Sequence, residues 1–233
     1  MSNIKKKRGA WNFGGSVPKN FIEHIDRSVP FYSAGHEIIR GYSDYFLKNE
    51  SICYDIGSST TELLIKLSKY TNKKVNFIGV DNEKKMVEFS KKLIKKNKIK
   101  NIKNKYCDVT KLKFLKSDMI ISYYTLQFIH PKYRQTLLNK IYKSLNWGGA
   151  FFLFEKIRGS DARFQDMYTN LYHDFKQTNG FSAKDIDVKQ KSLRGVMEPF
   201  SEKGNIDMFK RAGFEDISGV FQFLCFRGYL CIK

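Results

Sequence analysis

What the chain lacks narrows it first. No uninterrupted apolar run reaches the roughly 20 residues a membrane-spanning helix needs. The basic N-terminal cluster MSNIKKKRGAW has no apolar segment behind it, so no secretory signal is expected. Cysteine is scarce, with Cys53, Cys107, Cys225 and Cys231 showing no C-x-x-C spacing. That argues against a zinc site. The thiols read as small apolar residues in or beside strands of a reduced, cytoplasmic protein. There is no G-x-G-x-x-G, because Ser59 and Thr61 stand where a dinucleotide binder wants glycine. Internal repeats and disordered linkers are also absent, and 233 residues fit one domain, 1–233. Acidic residues are few, 23 against 42 Lys and Arg, giving a net charge of +19. The densest basic stretch, Lys91 to Lys105, has no interleaved aromatics for stacking bases. It reads as a solvated helix face, with RNA or another polyanion as the functional alternative.

What is present points to a nucleoside. In ICYDIGSSTTELL, Ile52 to Leu64, an apolar run ends in Asp55 and Gly57 and a helical pattern follows. This is a strand, a tight turn and a helix N-terminus, whose free N–H groups suit a carboxylate-bearing ligand. Gly57 lets the backbone turn and lets a ligand approach; Ser58 and Ser59 complete the turn. A second apolar run, Val75 to Val80, ends in Asp81, where a carboxylate suits the two hydroxyls of a ribose. NKYCDV places Asp108 after the next strand. In a parallel sheet these carboxylates converge beyond the strand ends.

Along the chain, Val17, Phe21, Ile22 and Ile25 share one helical face, Pro30 interrupts, and Ile38, Ile39, Tyr42, Tyr45 and Phe46 resume. Residues 1–48 are expected to form a helical N-terminal cover. Strands are expected at 52–57, 75–80, near 103–107, from Asp118 and over Ala150 to Lys156, alternating with helices at 60–70, 83–97 and from Pro131 to Gly148-Gly149. Asn82 is placed to cap the helix that follows it. Residues 157–200 break the alternation and read as a helical lid insertion. A helix around 202–212 ends at Gly213, and two antiparallel strands around Gly228 close the chain.

This α/β layout resembles a class I (Rossmann-like) S-adenosylmethionine (SAM)-dependent methyltransferase, with a seven-stranded, mostly parallel sheet. A closer resemblance, from about Trp11 to the C-terminus, is to the carboxy-S-adenosylmethionine synthase family. It is carried by RSVPFY, YDIGSS, VDN, TLQF, FEK, HDFK, NGFS and KRAGFE. That family converts SAM and prephenate into carboxy-SAM, used in tRNA wobble-uridine modification. The resemblance implies cofactor contacts at Tyr32, Gly57, Asp81, Asn82, Asp108 and Val109. It also implies a homodimer.

The departures from the family pattern bear on the chemistry. Gln190 stands where the family's lid arginine grips the extra carboxylate, and a neutral amide cannot replace a charge-assisted fork. Tyr123 replaces an asparagine before TLQF. Thr61 and Phe31 replace glycines. Arg194 would share a face with Gln190 if that segment is helical. Three readings follow. The first is a SAM-dependent methyltransferase on an unidentified small-molecule acceptor, leaving S-adenosylhomocysteine, with His173 or Tyr32 as candidate base. The second is a carboxy-SAM synthase with Arg194 as a displaced clamp and Lys156 or Lys189 helping to bind prephenate. The third is a non-catalytic RNA- or partner-binding module, resting on charge alone.

Overall fold

A computed structural model describes residues 25–233 of the chain. The expected helix over Val17 to Ile22 and the basic N-terminal cluster lie outside the described residues. Residues 25–28 are helical, and α1 (Tyr32–Phe46) follows the Pro30 turn. Then come β1 (Ile52–Ile56), α2 (Glu62–Tyr70), β2 (Asn76–Asp81), α3 (Lys84–Lys96), β3 (Ile102–Tyr106) and β4 (Ser117–Tyr123). The second half comprises α4 (Pro131–Ser144), β5 (Leu145–Lys156), α5 (Ala162–Thr178), α6 (Ala183–Leu193), α7 (Glu202–Ala212), β6 (Asp216–Phe223) and β7 (Phe226–Ile232).

The strands form one seven-stranded sheet in the order β3-β2-β1-β4-β5-β7-β6. Pairings among the first five are parallel, and β7 runs antiparallel to both β5 and β6. The order reverses between β1 and β4, which opens a crevice at their carboxyl ends. The central strands are buried on both faces, which is why they read as continuous apolar runs, while the edge strands β3 and β6 stay largely exposed. Phe152 and Phe154 of β5 pack with Ile39 and Leu64 on one side. Phe151 and Leu153 pack with Leu138, Phe209 and Phe214 on the other.

Local chemistry sets most helix ends. Ser182 and Asp185 form a capping box at α6, Asp161 caps α5, and Gly213 at φ 112 ends α7. Three expectations are corrected. The helix from Pro131 ends at Ser144, not at Gly148-Gly149, because Leu145 is fully buried and already pairs with Ser117. The closing turn lies at Leu224 and Cys225, with Gly228 inside β7. A Cβ at Gly228 would come within 2.6 Å of the Phe154 ring, so that glycine serves close packing rather than a turn. Lastly, α3 is capped by Glu83, whose carboxylate accepts from Lys85 N–H, and not by Asn82.

Candidate functional site

The carboxyl ends of β1, β2 and β4 open into a cleft of about 1430 Å³, walled on the far side by α5 and α6. That is more than one small ligand fills. The turn after β1 is held from below. Gly57 and Ser58 N–H donate to Val80 C=O at 2.7 and 3.1 Å. The Asn104 amide donates to Thr61 Oγ1 at 2.6 Å and to Ser90 Oγ, and Ser58 Oγ donates to Asn104 Oδ1. Gly57 (φ 75), Ser59 (φ 47) and Thr61 (φ 65) all adopt left-handed backbone. A left-handed non-glycine residue is strained, and the buried Asn104 bonds offset that cost at Thr61. Thr61 makes no side-chain cap at α2, so the first N–H groups of that helix face the cleft uncapped.

Asp55 is 3% exposed, and its Oδ1 has no hydrogen-bond partner among the described residues. Burial, and after it the charge of Asp81, push its carboxyl up to about 7. Asp81 accepts from Ser59 N–H and Glu83 N–H, both at 2.8 Å. Burial still raises its pKa against those bonds. Asp108 accepts from Thr110 N–H and Oγ1–H and stays exposed. With Asn82 and Val109, these carboxylates line the sheet side of the cleft. An orphaned carboxylate oxygen and an uncapped helix end fit a cofactor bearing an ammonium, a carboxylate and a ribose.

Between the two ends stands an aromatic group. The Tyr123 hydroxyl donates to Tyr32 C=O, and the Tyr123 ring meets Tyr32, His36, Tyr124 and Phe154 edge-on or tilted. Burial drives the Tyr32 and Tyr123 phenols well above their ordinary range, so both stay protonated at neutral pH. That removes Tyr32 as a general base. His36 carries no signal in the sequence, where it looks like any helix residue. It is 2% exposed, its Nε2 has no partner among the described residues, and burial with Lys66 nearby lowers it to about 3.

The α5–α6 side carries His173, Gln190 and Arg194, all lining the cleft. Burial, Lys176 and Lys156 lower the His173 pKa, leaving a neutral imidazole. The expected shared helical face of Gln190 and Arg194 is corrected: α6 ends at Leu193, and Arg194 is an extended C-cap. Lys156 and Lys176 also reach this side. FEK and HDFK contain them, but nothing local in the sequence says that they meet. Gln127 of TLQF fixes the first, accepting from Lys156 N–H at 2.8 Å.

A methyltransferase-domain family model matches residues 47–209. A carboxy-S-adenosyl-L-methionine synthase from Staphylococcus epidermidis is 36% identical over 96% of this chain and 97% of its own. One from Sulfurimonas denitrificans is 34% identical over 99% and 96%. Among solved structures, a SAM-dependent methyltransferase from Aquifex aeolicus superposes with a TM-score of 0.61 at 13% identity, covering 92% of this chain and 97% of that one. The YcgJ protein from Bacillus subtilis gives 0.61 at 18% identity, covering 81% and 72%.

Proposed function

The chain belongs to the carboxy-S-adenosyl-L-methionine synthase family of class I methyltransferase-fold enzymes, and from that premise we propose that it transfers the methyl group of SAM to a small anionic acceptor. It is a SAM-dependent transferase. The observation that carries the methyl-transfer reading is the neutral Gln190 in the lid wall, together with Tyr123 filling the space beneath Tyr32. A carboxylate on the transferred carbon would lack its charge-assisted fork.

In this reading Asp81 takes the ribose hydroxyls, and Asn82, Asp108 and Val109 border the adenine. The Gly57–Ser59 turn approaches the methionine end, where the orphaned Asp55 oxygen suits its ammonium. SAM supplies an activated methyl on a sulfonium. The chain's part is then to align the acceptor and exclude water. His173, neutral and facing the cleft, is placed to take a proton.

Residues 157–200 act as the lid over both ligands, with the described part of the N-terminal cover, residues 25–48, packed beneath the same domain. Hydrogen exchange that slows on SAM binding only near residues 55–110 would count against the lid. Phe164, Met167 and Leu171, exposed along α5, support a homodimer, which sedimentation would test. The four free cysteines suit the cytoplasm. No helix among the described residues is long and apolar enough to cross a membrane. The exposed α3 lysines are left as a solvated face, and filter binding of tRNA at physiological salt would detect a contact there.

The second reading is the relatives' printed activity, carboxy-SAM synthesis, here from SAM and prephenate and serving tRNA modification. It is favoured by Arg194 lining the cleft. Incubation with SAM and prephenate separates the two. The methyltransferase reading expects no carboxy-SAM by mass; robust formation, lost in Arg194→Ala, would establish the second reading instead.

A further inference from the structure

At the rim of the sheet opposite the cleft, the chain enters β2, β1, β4 and β5 and leaves β7, which are neighbours in the sheet. Each junction places a lysine there: Lys74 before β2, Lys48 before β1, Lys116 before β4, Lys143 before β5 and Lys233 after β7. Strands lie about 5 Å apart, so these lysines form a row of about 20 Å. None of them is in an ion pair with a carboxylate among the described residues. The nearby acids do not balance them. Asp44 is taken by Lys73. Asp118 is buried and accepts from Ile52 N–H and the Asn146 amide. Glu50 is exposed just after Lys48, and Glu215 and Asp216 stand at the far β6 end.

Trp147 stands in this row. The register of β4 and β5 jumps from Ser117–Leu145 to Met119–Ala150, so Asn146 to Gly149 bulge out of the ladder. Gly148, at φ 72, turns the bulge. A bulge re-aims side chains, and Trp147 is left 89% exposed. The base of the bulge is pinned: Gly148 N–H donates to Lys233 C=O at 2.7 Å, and Lys233 N–H donates to Gly149 C=O at 3.0 Å. Lys116 and Lys233 also donate to carbonyls of the last turn of α4 and of Leu145, so helix capping accounts for them. Lys48, Lys74 and Lys143 are held only through their backbones. Neither core packing nor capping explains an indole held in water beside those three cations.

We propose that this rim binds an unpaired stretch of RNA, with Trp147 stacking on a base and the lysine row meeting the phosphates. An indole face takes any base and a row of cations tracks a backbone, the two parts a single-strand site needs. The α3 lysines have the charge without the ring. A duplex hides its base faces, and a bilayer calls for a broader apolar patch than Trp147 and the exposed Leu115. RNA loops and ends are the usual source of unstacked bases. The rim lies at the other end of the strands from the cleft, so the proposal stands independently of the group transferred there.

The test uses the full chain with Trp11→Phe, which leaves Trp147 as its one tryptophan. Titration with a short oligouridine should quench its fluorescence, and affinity should fall as salt rises. By anisotropy of the labelled RNA, Trp147→Ala should weaken binding at least about fivefold, while Trp147→Phe keeps most of it. Combined Lys48→Gln, Lys74→Gln and Lys143→Gln should lower the salt slope by about two. Combined Lys92→Gln, Lys95→Gln and Lys96→Gln on α3 should leave the quenching unchanged. No quenching, equal affinity for a matching duplex or for polyglutamate, unchanged affinity in Trp147→Ala, or an equal loss in the α3 variant would overturn the RNA site. Tighter binding of oligodeoxythymidine would overturn RNA as the occupant. A blue shift on phosphatidylglycerol vesicles with no response to oligouridine would make the rim a membrane surface instead.

Discussion

One end of the cleft is built from the ends of β1 and β2 and the loop after β3, and it carries Asp55, Asp81 and Asp108. The opposite wall is built from β5, α5, α6 and the segment after α6, and it carries Lys156, Lys176 and Arg194 beside Asp185 and Glu198. The chain as a whole is strongly basic, yet it gathers three carboxylates at one end of a single pocket. The two ends also differ in rigidity of construction. Backbone bonds between parallel strands and a buried Asn104 hold the first, whereas backbone bonds such as Ile157 N–H to Cys225 C=O and Glu198 N–H to Gln127 C=O, with the Gln127 and Tyr172 side chains, hold the second.

The largest effect is expected at the acidic end. Asp81→Ala should weaken SAM by about a hundredfold, on the order of 3 kcal/mol for two charge-assisted ribose bonds, with the circular dichroism spectrum unchanged. Unchanged affinity by calorimetry would remove the ribose site. At the lid end, Gln190→Arg should tighten added carboxy-SAM by roughly 1.5–3 kcal/mol while leaving SAM nearly unaffected. Equal gains for both nucleosides would show that the new charge acts on the whole pocket and not on the extra carboxylate.

Asp55 adds a pH dependence. Its folded pKa, about 7, lies above the ordinary 3.8. The protonated carboxyl therefore favours the folded state, and this contribution is lost as pH rises from near 4 through about 7. Asp55→Asn should flatten that part of the thermal stability profile of the ligand-free protein, while weakening SAM. Wild-type affinity for SAM should rise over the same window, because the ammonium prefers the ionised carboxylate. A melting profile of the same slope in variant and wild type would place the titration elsewhere.

The smallest effects come from two residues with the same backbone sign. Thr61→Gly relieves a left-handed threonine but removes the Asn104 bond in a fully buried site, so a net loss of about 1–2 kcal/mol is expected. Phe31, at φ 54, is exposed and touches Phe223 edge-on. Phe31→Gly should stay within about 1 kcal/mol of wild type, because relief of strain offsets the lost ring contact. Urea denaturation of both variants decides whether burial or backbone strain governs these turns.

The acidic end was legible in the sequence because its grammar is local. A strand, a turn and a helix recur, and parallel register sets Ile56 beside both Val80 and Ser122, so the strand ends meet. The order of helices and strands followed from the same alternation. What escaped depended on contacts distant in sequence. Leu145 leaves the helix because it is buried against β4, and Gly228 stays in its strand because Phe154 lies across it. Lys156 and Lys176 become neighbours only through Tyr172, and His36 becomes a buried imidazole only once Tyr123 folds over it. Arg194 turned out to cap α6 because the helix ends one residue short of it.

The most direct measurement is the mass of the nucleoside that co-purifies with the full chain, set beside Asp81→Ala prepared identically. The account predicts SAM or S-adenosylhomocysteine on the wild type and none on the variant. Carboxy-SAM as the bound species, or a nucleoside retained equally by both proteins, would contradict it.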